Sequence, residues 1–171
     1  MKYLISFFLS VTALFISAAT YTVNSVPNVQ IADSTRFVSN PDGILSEDAE
    51  ERANGILRQL RQNTSAEVVC VAVDDIDTDI DDFATDLFRT WGIGKKDKNN
   101  GVLLLIVKDQ RKVVIRTGTG VEGLLLDGLC GSIIRANITP RFREGDYDGG
   151  TLGALADISG ILSTPKPVRK S

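Results

Sequence analysis

The sequence predicts an α/β protein, a three-layer α/β/α sandwich around a small mixed β-sheet. Two apolar runs, Glu67–Val73 (EVVCVAV) and residues 102–107 (VLLLIV), have strand length and no polar alternation, so both faces of their sheet should be covered. Between them Ile80, Phe83, Ala84, Leu87, Phe88 and Trp91 recur at helical spacing; strand, helix and strand of these lengths imply a parallel crossover. A further strand, Lys112–Thr117, follows Asp109-Gln110-Arg111, which makes a hairpin and a mixed sheet.

The 171 residues suffice for one domain. Residues 1–19 read as a secretory leader: Met1-Lys2, a thirteen-residue largely apolar run over 4–16, then Ser17-Ala18-Ala19 as a cleavage site. The run is short for a spanning helix, so the mature chain is expected to be periplasmic or extracellular with no stable membrane span; an uncleaved anchor is the alternative. Cleavage removes Lys2 and no acid, leaving 18 of the 19 basic residues against 22 acidic ones, a net charge of −4. No basic field exists to hold nucleic acid. The chain contains no histidine, which excludes a Ser-His-Asp triad and a His-bearing zinc site. Cys70 lies mid-strand and Cys130 on the apolar side of a helix, which favours buried free thiols over a disulfide.

In chain order, residues 20–36 read as a linker or docking arm and 37–163 as the domain. Residues 37–43 form a turn, with Asn40-Pro41 and Asp42-Gly43 as punctuation. Ser46 caps a helix whose first turns carry Glu47, Asp48, Glu50 and Glu51, and Asn63 ends it. Six aspartates crowd residues 74–82, and Asp79 or Thr78 caps the next helix, stopped by Gly92-Ile93-Gly94. A third helix starts near Glu122 with Leu126, Leu129, Cys130, Ile133 and Ile134 inward; Pro140 breaks the chain and Phe142 plugs the core. A last helix runs to about Leu162 with Leu152, Leu155 and Ile158 or Ser159 inward, and residues 164–171 read as a disordered tail.

The candidate site lies at the ends of the hairpin. Pairing Lys108 with Lys112 sets Val102 opposite Gly118 and Asn100 opposite Gly120, so the Asn99-Asn100-Gly101 and Gly118-to-Gly123 loops lie side by side. A one-residue slip would not separate them. Trp91, Asn99, Asn100, Gly118 and Gly120 are the ligand-binding candidates, and Glu122, Asp127 and Asn99 the metal ligands, oxygen donors of the kind calcium takes. Turn chemistry at Asn-Gly is the alternative. The G-x-G-x-x-G at 118–123 follows the return arm of a hairpin, not the first strand of a βαβ unit, so no nucleotide is expected. The aspartate run lacks the glycine and final glutamate of an EF-hand loop and reads as a solvated helix start. Asn40, Asp42 and Asp146 fall at the far edge of the sheet as a second cluster.

The chain resembles the TPM domain of thylakoid lumen, photosystem II repair and modulator-of-levamisole-receptor proteins. The resemblance rests on Val38-Ser39-Asn40-Pro41-Asp42-Gly43-Ile44-Leu45-Ser46, Trp91-Gly92-Ile93-Gly94, Asn99-Asn100-Gly101-Val102-Leu103, Gly118-Thr119-Gly120-Val121-Glu122-Gly123, Ile138-Thr139-Pro140-Arg141-Phe142 and Gly145-Asp146-Tyr147. It implies an exported α/β/α domain, a calcium site and, as proposed for plant members, acid phosphatase activity. For bacterial members it implies an envelope role in binding, assembly or quality control, with an envelope protein as partner. The family has Asp where Asn40 and Asn99 stand; amides there weaken cation affinity and remove candidate general bases.

Overall fold

The computed structural model describes residues 19–164. The expected leader (1–19) and tail (164–171) lie outside it, but for the innermost residue of each. The main sheet has four strands in the order β2 (Val38–Ser39), β3 (Glu67–Val73), β5 (Gly101–Val107) and β6 (Lys112–Thr117). The first three run parallel and β6 returns antiparallel, so the sheet is mixed.

Successive residues of the apolar strands supply two separate cores. Val68, Cys70 and Ala72 of β3, with Val102, Leu104 and Ile106 of β5, face α2 (Glu47–Thr64) and α6 (Tyr147–Leu162). Val69, Val71 and Val73, with Leu103, Leu105 and Val107, face α3 (Ile80–Trp91). That alternation makes the three layers, and burial on both sides explains the unbroken apolar runs. Cys70 and Cys130 are free and buried; desolvation pushes the Cys70 thiol up to about 12 and that of Cys130 up as well.

Local chemistry sets the helix ends. The Ser46 hydroxyl accepts the Ala49 amide at 3.2 Å at the start of α2, which runs one residue past Asn63 to Thr64. Asp79 accepts the Asp81 amide at 2.9 Å and starts α3; Gly92, at φ +61°, ends it. Among the described residues no helix is long and apolar enough to cross a membrane.

The segment before the domain lies along it. β1 (Thr20–Tyr21) pairs in parallel with β4 (Asp75–Ile76), Val26 is buried among the α3-side residues, and a short helix, α1 (Val29–Ala32), follows. The turn expected at 37–43 begins instead with the edge strand β2. Two residues are too few to show a period, and the strand is fixed from outside: Asn54, 1% exposed on α2, accepts the Phe37 amide at 2.6 Å, and Phe37 accepts that of Cys70.

Three expectations need correction. The hairpin pairs Val107 with Lys112 and Val102 with Thr117, one residue from the expected register, because the turn closes from Arg111 N–H to Lys108 O at 3.0 Å with Arg111 at φ +53°. The third helix, α4 (Asp127–Ile133), begins five residues later than expected. The amides of Val121, Leu124 and Leu125 bond back to Gly118 O and Val121 O in consecutive turns that tuck in Val121 and Leu125, which leaves Leu126 63% exposed and Leu129 37% exposed. Pro140 does not break the chain: α4 passes through a π-helical turn (Ile134–Ile138) into α5 (Thr139–Arg143). Thr139 N–H bonds back to Ile134 O, and that widened turn admits a proline that lacks an amide. In α6, Leu155 and Ile158 are buried, while Leu152 and Ser159 are only half-buried.

Candidate functional site

The sheet has two rims. On the rim where β3 and β5 begin, the two expected loops lie side by side. Gly118 N–H donates to Gly101 O and Gly120 N–H to Asn99 O, both at 2.9 Å. A Cβ on Gly118 would overlap the Asn99 carbonyl oxygen, and one on Gly120 that of Lys98. These glycines are needed so that one backbone can approach another.

The neighbouring side chains also have structural partners. Asn100 donates to Ser65 O at 2.9 Å and accepts the Lys95 amide at 3.0 Å. Asn99 sits at φ +45°, a left-handed conformation that Asn tolerates, with its side chain exposed. Trp91 packs half-buried on the α3-side core. Glu122 and Asp127 are exposed, Asp127 in the first turn of α4. Arg116 donates to Asp81 Oδ1 at 3.1 Å, on the α3 side.

On the opposite rim, β2, β3 and β5 end. Asn40 clamps the loop after β2: it donates to Leu45 O at 2.8 Å and Glu50 Oε2 at 3.2 Å, and accepts the Leu45 amide at 3.1 Å. A carboxylate at 40 could donate to neither and would face Glu50, so the amide has a local reason. Asp42 accepts the Tyr21 hydroxyl at 2.9 Å and the Asp74 amide at 2.8 Å. Burial, the hydrogen bond to Asp42 and the charges of Asp42 and Asp74 push the Tyr21 phenol up to about 12. Asp146 caps α6 through the Gly149 amide at 2.8 Å, and Asp148 accepts the Ser46 amide at 2.9 Å. Asn40 and Asp42 are thus on this rim, joined through Ser46 and Asp148 to the start of α6, which Asp146 caps.

The same rim opens into a cleft of about 730 Å³ between the hairpin tip and the π-turn–α5 segment. Lys108, Arg111, Lys112 and Arg143 line it, and among the described residues no carboxylate does. Phe142, half-buried rather than a full core plug, packs against Tyr147 with ring centroids 4.8 Å apart and planes tilted by 56°, and both rings line the cleft. Ile106, Val113, Ile134 and Ile138 add an apolar wall. Such an arrangement has the chemistry to accept an anion beside an apolar group. The C-terminal ends of parallel strands are also where open α/β sheets usually bind ligands. Sequence reasoning missed the basic residues, which come from a turn and a helix end 32 positions apart. One local signal was present: Arg111 stands where a tight hairpin usually has Gly or Asn.

Fold and rims together define an α/β/α domain of mixed sheet with a basic cleft at its parallel-strand ends. The chain belongs to the TPM domain family, whose model matches residues 38–161. It is similar to the solution structure of the N-terminal domain of a P. gingivalis protein, with 42% identity, TM-score 0.79, and coverage of 84% of this chain and 92% of that one. The fold also recurs in the BA42 protein of Bizionia argentinensis (21% identity, TM-score 0.63, 72% of this chain and 85% of that one). A further likeness is the N-terminal domain of the cg2496 protein of Corynebacterium glutamicum (13% identity, TM-score 0.60, 86% and 93%). No curated protein matches the chain.

Proposed function

We propose that this TPM-domain protein is an exported binding module of the cell envelope that holds its ligand in the cleft beside the hairpin tip. One observation carries the reading: four cationic side chains and two aromatic rings converge on a cleft that, among the described residues, has no acidic lining, at the strand ends that α/β sheets use for binding. The leader-like residues 1–19 support export. The test expresses the full chain in a bacterial host, fractionates the cells and sequences its N-terminus. The reading expects an envelope or medium fraction starting at Thr20, and recovery of an envelope component that is lost when Arg111 and Arg143 are both replaced by Gln. A cytoplasmic, uncleaved chain would overturn export; recovery unchanged by the double variant would overturn the cleft.

A second reading is a divalent-cation-dependent acid phosphatase, favoured by Asp42 and Asp74 standing together on the same rim. As placed, Asp42 is engaged by Tyr21 and the Asp74 amide, and Asp74 pairs with Lys108 at 3.6 Å. Among the described residues no three His, Cys, Asp or Glu side chains gather as a metal shell. Calcium there would have to draw Asp42 and Asp74 from these partners and recruit amide or backbone oxygens beside them. Calcium at 100 times its dissociation constant would add about 2.7 kcal/mol to stability. A melt unmoved by millimolar calcium, with no hydrolysis of a chromogenic phosphate ester under added calcium or magnesium, removes this reading.

A further inference from the structure

Arg111 occupies a costly place. Its backbone is left-handed, at φ +53°, where a side chain is disfavoured and glycine is at ease. Its side chain lines the cleft. Local folding gives no reason for arginine there, since the turn needs only the Arg111 amide, which bonds to Lys108 O at 3.0 Å.

The charges in the cleft are unequally neutralised. Lys108 pairs with Asp74 and Lys112 with Asp79, each at 3.6 Å. Among the described residues Arg111 and Arg143 have no ion-pair partner. Two guanidinium groups therefore remain as surplus charge beside an apolar wall. Each is a planar fork of donors suited to bidentate contact with an oxyanion. Arg143 is the last residue of α5, carried there by the same π-turn that contributes Ile134 and Ile138 to the wall.

We infer that the cleft takes a small ligand with a doubly charged oxyanion head on an apolar ring or chain, with Arg111 and Arg143 gripping the head and Phe142 and Tyr147 receiving the body. This rests on the cleft being the binding site, as proposed above. The head is a phosphate monoester or a pair of carboxylates; both present oxygens at a spacing guanidinium forks can share. Arg111 is then a residue kept for binding at the expense of the turn.

The experiment is calorimetric titration of the full chain with phenyl phosphate, phthalate, benzoate and benzyl alcohol, repeated on Arg111→Gly, Arg111→Lys and Arg143→Gln, each with a thermal melt. At least one of the two dianions binds, and it binds about tenfold or more tighter than benzoate, with benzyl alcohol weakest. Which dianion is tighter identifies the head group. Arg111→Gly and Arg143→Gln each lose about tenfold or more toward the dianion and little toward benzyl alcohol, and Arg111→Lys loses less than Arg111→Gly. Arg111→Gly melts at or above the wild-type temperature, since the strain is gone. Equal binding of all four probes, or dianion binding unchanged in Arg111→Gly, overturns the dianion grip while leaving the cleft as a site. No binding by any probe overturns both. An Arg111→Gly melt well below wild type overturns the argument from strain.

Discussion

Replacing Gly120 by Ala tests whether the glycine rim is built for a ligand or for the fold. The added Cβ would overlap the Lys98 carbonyl oxygen and stand 2.9 Å from that of Asn99. Both obstacles are backbone, so the loops must part rather than a side chain turn. Parting them breaks the Gly120 N–H to Asn99 O bond and strains the Gly118 N–H to Gly101 O bond, both 2.9 Å long. One such bond contributes about 0.5–1.5 kcal/mol and overpacking costs about 1–3 kcal/mol, so the sum is about 1.5–4.5 kcal/mol. For a chain of this size that is a fall in Tm of roughly 3–18 °C. Gly123→Ala is the control: it lies in the same loop, and a Cβ there meets nothing within 4 Å. Urea or thermal melts of both variants check this. If Gly120→Ala melts with Gly123→Ala, the rim is not held by close backbone approach and the reasoning fails.

Further outcomes follow from single contacts. Asn54→Ala strands the Phe37 amide, buried and bonded to Asn54 at 2.6 Å, and should cost about 1–3 kcal/mol in urea unfolding. Asp79→Ala removes the α3 cap and should lower the melting temperature at neutral pH. The backbone N–H of Asp81, then Lys112, hold the Asp79 carboxyl below its usual 3.8, so this lowering should be complete above pH 3.8 and shrink as pH falls below it. Tyr21 titrates the other way: raised from 10.0 to about 12, it stabilises the fold fully below pH 10 and loses that contribution as pH rises toward 12. The stability gap between wild type and Tyr21→Phe should therefore close across that window in melts followed at alkaline pH.

Most of the fold was legible because its signals are local and repeated. The two apolar runs, the helical spacing from Ile80 to Trp91 and the caps at Ser46, Asp79 and Gly92 each decide their own element. What escaped depends on distant partners. β2 is two residues held by Asn54 and Cys70, and Leu126 and Leu129 keep an apolar helical spacing although Val121 and Leu125 take the buried places. The π-turn that absorbs Pro140 leaves no mark in a single sequence. The adjacency of the 99–101 and 118–120 loops was readable from hairpin register, but the glycines that mark it serve backbone packing. The cleft was not readable, since its cations are ordinary surface residues until the turn and α5 bring them together.

The most direct test of the cleft as the working surface is an amide chemical-shift map of the ¹⁵N-labelled chain titrated with phthalate. The account expects the largest shifts at residues 108–112 and 142–147, with little change at 99–101 and 118–123. Shifts centred on the glycine rim, or none on either rim at millimolar phthalate and phenyl phosphate, would contradict it.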